Sequence, residues 1–330
     1  MSSPALLPLG SDEMPLPMGV QAESGQLLPG LSARNLACIG QDPNAVQSRG
    51  ETGADFLAVS EVDPNNLAEA GWGIILPAGL DPAIRDALEP LIELRRQQVG
   101  DPSRFRIFDG QAGYQDGDTV RSWLDKFNVG LANVDPALGV PLYLLIAGPP
   151  GQIPFEFQYL LDAYWCVGRL CFDNPAEYRS YAEGVVAYET AAAVPHARRL
   201  AVFNTRNLGD RATGLLHNQV ALPFVNGAGP QKPLGQRQGF QLQPFLADGA
   251  TKNNLSTLLR GKATGGLPAL LFSGSHGVGF DASDPGQAAK QGAILCQDWE
   301  GGPVGPDQYF AASDIPDDAS LGGLIHFFFA

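Results

Sequence analysis

His276 is the residue on which chemistry is most readily built. It lies in Leu-Pro-Ala-Leu-Leu-Phe-Ser-Gly-Ser-His-Gly-Val-Gly, residues 267–279, where an apolar run is bounded by Gly-Gly before it and Gly-Ser after it. A run of that length reads as a strand, and parallel α/β sheets place their reactive groups at the carboxyl ends of strands. Imidazole is a base near neutral pH, and glycine at 277 lets its backbone N–H come close to a reacting carbonyl. The alternative is a hydrogen-bonded loop histidine with no reactive role.

Cysteine is the other reactive type. The four present, Cys38, Cys166, Cys171 and Cys296, are too sparse for a disulfide framework. Cys166 and Cys171 are an odd number of positions apart on one apolar strand and so face opposite sides, which reads as two ordinary buried cysteines. Cys296, between Leu295 and Gln297, is the alternative nucleophile of a thiol enzyme. Other motifs fall away. Gly274-Ser275-His276-Gly277 is one position out of register with the Gly-x-Ser-x-Gly elbow of serine hydrolases, and Gly277-Val278-Gly279 lacks the third glycine of a dinucleotide fingerprint. His196 and His217 have no partners by spacing, and His326 reads as a satisfied structural histidine inside a core strand. Neither a metal nor a cofactor is expected.

The elements that must position these residues follow from the alternation of apolar runs and capped helical stretches. Residues 1–50 show no sustained period and read as a loosely ordered leader, with a strand near Asn35–Ile39. A first α/β subdomain, 51–192, has strands at Trp72–Leu76, Arg104–Phe108, Pro141–Ala147 and Tyr164–Phe172. Its helices start at Asp81-Pro82 (split by Pro90), at Asp118 and at Asn174-Pro175-Ala176-Glu177, the last with Tyr178, Tyr181, Val185 and Tyr188 as its buried stripe. A second subdomain, 193–330, restarts with a strand at Arg199–Phe203 and a helix carrying Leu215 and Leu216. The Gly/Pro/Gln-rich loop Asn226–Gly239 and a helix with Leu255, Leu258 and Leu259 follow. The His276 strand, a short strand at Gly292–Gln297 and a final buried strand at Leu324–Ala330 complete it. Strands separated by helices predict an α/β fold with a mainly parallel sheet in each half.

Composition narrows the function classes. With 44% hydrophobic and 17% charged residues the chain reads as globular, and a formal charge of -14 disfavours nucleic acid and anionic membranes, both of which would repel it. Met1–Gly30 lacks the basic start and compact apolar core of an export signal, and no run approaches the roughly 18 apolar residues of a membrane helix. A cytoplasmic location is expected.

Over roughly residues 70–330 the chain resembles the caspase-fold cysteine peptidases of the gingipain-like and CHAT-like kind. In that group one strand ends in His-Gly, and the next core strand ends in an apolar run followed by Ala-Cys. Ser275-His276-Gly277 matches the first element, and Ile325–Ala330 matches the second as far as the alanine. Val167-Gly168-Arg169-Leu170, with the helix ending Ala187-Tyr188-Glu189, resembles the gingipain-like junction between subdomains. The resemblance implies a caspase-like three-layer α/β/α fold in two subdomains and a cysteine endopeptidase using a His–Cys dyad. His276 would give the proton to the leaving amine, and the Gly277 N–H would help hold the oxyanion. The pocket for the residue before the cut bond would be built partly by the loop 204–211, where Arg206 and Arg211 favour an acidic side chain and Asp210 a basic one. Its partners would be protein or peptide substrates and a regulatory or effector domain. The family's nucleophile would follow Ala330, so the chain as given is expected to be an incomplete and inactive piece. A non-catalytic α/β scaffold or interaction module is the alternative from another class.

Overall fold

The computed structural model describes residues 19–28, 62–131, 134–193, 196–263, 265–316, 318–319 and 321–329. The strand expected at Asn35–Ile39, Cys38 and Ala330 lie outside the described residues. The chain forms two compact units, Arg49–Ala192 and Met1–Ser48 with Ala193–Ala330. In chain order the elements begin with β1 (Val20–Gln21), which belongs to the second of these units.

In the unit Arg49–Ala192, the Asn66 side chain caps α1 (Leu67–Ala70), and Gly71 (φ 71°) turns the chain into β2 (Trp72–Ile75). A Cβ on Gly71 would lie 2.5 Å from the Arg104 carbonyl, so the turn requires glycine. Asp81 caps α2 (Pro82–Ala87), and Pro90 in the first turn of α3 (Glu89–Val99) divides the two helices at Leu88. After β3 (Phe105–Phe108), Thr119 caps α4 (Val120–Asp125) through a reciprocal pair with Ser122. Asp118, the expected cap, instead accepts the Gln115 N–H and pairs with Lys126. Then come β4 (Tyr143–Ala147), α5 (Phe155–Asp162), β5 (Cys166–Leu170) and α6 (Pro175–Glu189), the last capped by Asn174.

These strands form a parallel sheet in the order β3-β2-β4-β5. Phe108, Trp123, Leu144, Ile146 and Phe157 pack on one face and Ile74, Leu88, Ile92 and Tyr178 on the other, giving three layers. The buried stripe of α6 is narrower than its tyrosines suggest. Tyr178 and Ala182 are buried, whereas Tyr181 is 40% exposed. Cys166 and Cys171 are exposed rather than buried: β5 is the edge strand of the sheet, and Cys171 lies one residue beyond its end.

In the other unit, β6 (Ala197–Asn204) leads into α7 (Arg211–Leu216), a π-helical turn His217–Ala221 and α8 (Leu222–Asn226). The chain returns through α9 (Leu234–Gln238) into β7 (Gln241–Leu246), then α10 (Lys252–Leu259) and β8 (Pro268–Gly274). Its last strand is β12 (Ile325–Phe329). The main sheet is parallel, in the order β12-β8-β6-β7. Alternate residues of its strands feed two cores, one with Ala201, Phe203, Leu255, Leu258 and Leu271, the other with Leu200, Val202, Ala221 and Phe272. This unit too is an α/β/α arrangement.

Three expectations are corrected here. The expected loop Asn226–Gly239 contains α9, and Gln-Leu-Gln-Pro-Phe-Leu just beyond it, to which the sequence assigns no element, forms β7 at a sheet edge, where a strand tolerates Pro244. The final strand is an edge and not a buried centre, with Phe327 59% and Phe329 50% exposed. Within the expected leader, residues 19–28 are ordered: β1 pairs with β9 (Gly277–Gly279) in a small sheet with β10 (Ala293–Leu295) and β11 (Tyr309–Phe310). Val20 is fully buried there against Val278, Leu295 and Trp299, which is why the segment is held. Among the described residues no helix is long and apolar enough to cross a membrane.

Leu258 is fully buried on the inner face of α10. Leu258→Ala should cost about 2–5 kcal/mol, read as a lower urea midpoint with unchanged slope for the intact chain.

Candidate functional site

The carboxyl ends of β6, β8 and β12 converge on the turn Gly274-Ser275-His276. Each side of that turn is tied down. Asn204 Nδ2 and the Thr205 N–H both donate to the Gly274 carbonyl, at 3.0 and 3.1 Å. Thr205 Oγ1 donates to Ser275 Oγ at 3.0 Å, and Ser275 Oγ donates in turn to the Leu295 carbonyl. The Ser275 N–H donates to the Phe329 carbonyl of β12 at 3.1 Å, and the Leu295 N–H to the His276 carbonyl at 2.9 Å. Glycine at 274 lets the turn approach α7 closely: a Cβ there would lie 2.6 Å from the end of the Leu216 side chain, which would have to move. A histidine held by four neighbouring segments is pre-positioned.

His276 is 3% exposed, and its Nε2 meets the Asp210 carboxylate at 2.6 Å. Asp210 is set by the same local rule that starts α7. Its side chain caps the helix, accepting the N–H groups of Ala212 and Thr213, and it also accepts the Thr213 hydroxyl at 2.6 Å. Burial alone would raise the carboxyl's pKa, but hydrogen bonds from His276 and Thr213 hold it below the usual carboxylate value. An ionised carboxylate accepts only, so the proton of a neutral His276 sits on Nε2 and the lone pair on Nδ1. Nδ1 has no hydrogen-bond partner among the described residues and is the nitrogen available to take a proton.

This overturns the sequence reading of Asp210 as a substrate-facing charge. It is 7% exposed, and its oxygens are spent on His276, Thr213 and the helix start. The sequence signal was the N-cap spacing Asp210-x-x-Thr213, which makes the aspartate a structural acceptor instead of a solvated loop charge. Arg206 and Arg211 do face solvent, at the rim of a cavity of about 610 Å³ next to Asp210. Gly277 opens β9, and its carbonyl lies against Gly19, where a Cβ would come within 2.7 Å.

Cys296 is corrected as a nucleophile. Although Leu295 pairs with the His276 backbone, the Cys296 side chain turns into the core with Ala201, Phe203 and Phe310, and it is fully buried. Burial pushes its thiol up to about 12, so almost no thiolate exists near neutral pH. Sequence reasoning also missed His217, which is 6% exposed and bonds Asn204 Oδ1 through Nδ1 at 3.0 Å. Burial, with Arg206 nearby, lowers its pKa, so it is a neutral strut between the π turn and β6. His326 is satisfied as expected, by Ser273 Oγ at 2.6 Å.

Compared with protein-family models, curated proteins and solved structures, the chain matches none of them.

Two measurements check the site. Asp210 is held below its ordinary pKa, so its contribution to stability is complete above about pH 4 and is lost as pH falls through the lowered value. Asp210→Asn should therefore destabilise by roughly 1–3 kcal/mol at pH 7, with a smaller difference at pH 3. Iodoacetamide on the native protein should modify Cys166 and Cys171 and spare Cys296, as mapped by mass spectrometry before and after unfolding.

Proposed function

We propose that this fold is a cysteine-endopeptidase module in which His276, held by Asp210, is the general base and a thiol carried just beyond β12 is the nucleophile. The supporting observation is the Phe329 carbonyl accepting the Ser275 N–H at 3.1 Å, which brings the end of β12 beside the residue preceding His276. In this reading the thiol proton passes to Nδ1 of His276, and the thiolate attacks the peptide carbonyl. The imidazolium returns the proton to the departing amine, and water then hydrolyses the acyl-thioester. Asp210 fixes the tautomer and orientation of the imidazole, while the Gly277 N–H is a donor to the developing oxyanion. Peptide and protein substrates, and a regulatory or effector partner, belong to the same proposal.

The test is chemical. Prolong the chain past Ala330 by a cysteine and measure its iodoacetamide rate against pH, with His276 intact and as His276→Ala. The proposal expects a rate plateau at lower pH, and at least tenfold faster labelling at pH 6.5, only with His276 present. Equal rates in the two proteins would sink it.

A second reading, a non-catalytic α/β scaffold, is favoured by the burial of His276 and Asp210 and by the absence of a cysteine partner to His276 among the described residues. It expects the equal rates.

A further inference from the structure

The unit Arg49–Ala192 holds a cavity of about 610 Å³, lined by none of the residues around His276 and of a volume usual for small-molecule pockets. It opens at the amino ends of β4 and β5, on the sheet face that also carries Ile74, Leu88 and Tyr178. On that face the register sets Tyr143 beside Cys166, Leu145 beside Gly168 and Ala147 beside Leu170. Ala147 and Leu170 are buried in one cluster with Tyr178 and Ala182 of α6. Towards the amino end, β5 offers only a thiol and a glycine, and Cys166 and Gly168 are both exposed.

The backbone does not call for glycine at 168. Its φ is not left-handed, and a Cβ there would meet only the Leu145 side chain, at an ordinary 3.7 Å. A glycine inside a strand costs stability and packs nothing, and what its missing side chain leaves here is the cavity. The walls are mostly apolar, with Leu67, Leu145 and the rings of Trp72 and Tyr143. The charges at the rim are spent on one another. Arg95 Nη1 and Nη2 hold the two oxygens of Glu189 at 2.6 and 2.7 Å, while Gln98 donates to Glu189 at 2.9 Å and accepts from Arg95 at 2.6 Å. The Tyr143 hydroxyl donates to the Pro64 carbonyl at 2.8 Å. Burial, with Asp162 nearby, pushes the Cys166 thiol above its ordinary value, so it too is neutral. A charged guest would lose its hydration here and find no free counter-ion. An uncharged aromatic one leaves no polar group unpaired and meets two rings.

We propose that this cavity binds an uncharged aromatic molecule of about two fused rings, seated against Gly168 and the rings of Trp72 and Tyr143. Gly168 sets the depth of the site. Cys166, on the same wall, touches the guest and reports its presence without taking part in any chemistry. The site shares no residue with the peptidase reading and stands whether or not that reading holds.

The experiment is a calorimetric titration of the intact 330-residue chain with 2-naphthol, alongside 2-naphthoate, which adds a charge, and decahydro-2-naphthol, which removes the aromaticity. 2-Naphthol should bind with a Kd of about 0.1 mM or tighter, and at least tenfold more tightly than either comparison compound. At saturation it should slow iodoacetamide labelling of Cys166 at least fivefold and leave Cys171, one residue beyond β5, unchanged. Gly168→Leu places a side chain in the cavity and should abolish binding without lowering the melting temperature. Cys166→Leu fills the same wall and should do likewise. No binding, equal binding of the three compounds, binding that survives in either folded variant, or Cys166 labelling indifferent to bound 2-naphthol would overturn the proposal. Where a variant fails to fold, the protection of Cys166 in the unaltered chain decides.

Discussion

The hydrogen bond between His276 and Asp210 is the contact on which the carboxyl end of the main sheet depends. A carboxylate that is 7% exposed must have its lone pairs filled. Asp210 fills them from two sources that are far apart in sequence, the first turn of its own helix and the imidazole at the end of β8. The same oxygen atoms therefore start α7 and orient His276. Moving either would leave a buried charge short of partners, so the helix, the loop before it and the strand end are coupled through one side chain.

The parallel register makes that coupling possible. Asn204 lies opposite Gly274 in the β6–β8 pair, and Phe329 lies opposite Gly274 in the β12–β8 pair. All three strands thus finish at one level, and the residues just beyond them meet without long excursions. The small sheet contributes from the other side, with the Leu295 N–H donating to the His276 carbonyl and the Leu295 carbonyl accepting the Ser275 hydroxyl. Asn204, Thr205 and Ser275, each buried and hydrogen-bonded, supply polar rigidity where an apolar core could not hold a turn.

Much of this was legible in the sequence, for identifiable reasons. Trp72–Ile75, Tyr143–Ala147 and Pro268–Gly274 are apolar runs between helix caps, and local composition decides such strands. Asp81, Asn174 and the glycine after α10 announce helix ends by side-chain chemistry alone. His276 could be singled out because a strand delivers it and glycine follows it. Asp210 could not be paired with it, since the contact depends on the path of the chain from β6 into α7 and no periodicity reports that path. β7 was hidden by its glutamines and Pro244, residues an edge tolerates and a centre does not. The converse error was made at β12: an unbroken apolar run says that a strand forms, but the number of its neighbours is a property of the whole sheet. Cys296 shows the same limit, because one residue's shift along β10 separates a backbone contact with His276 from a side chain sealed in the core.

The two edges of the main sheet differ in a way that gives it a direction. On the β7 side, Pro244 removes a backbone donor from the rim, so a further strand would find an interrupted ladder there. On the β12 side, Ile-His-Phe-Phe-Phe offers an unbroken row of donors and acceptors with no charge, proline or bulge to discourage pairing. Any polypeptide that extends this sheet is thereby steered to one flank, in line with the strand whose last carbonyl already touches the histidine turn. The sheet therefore has one flank open to pairing, and the His276 turn lies beside it.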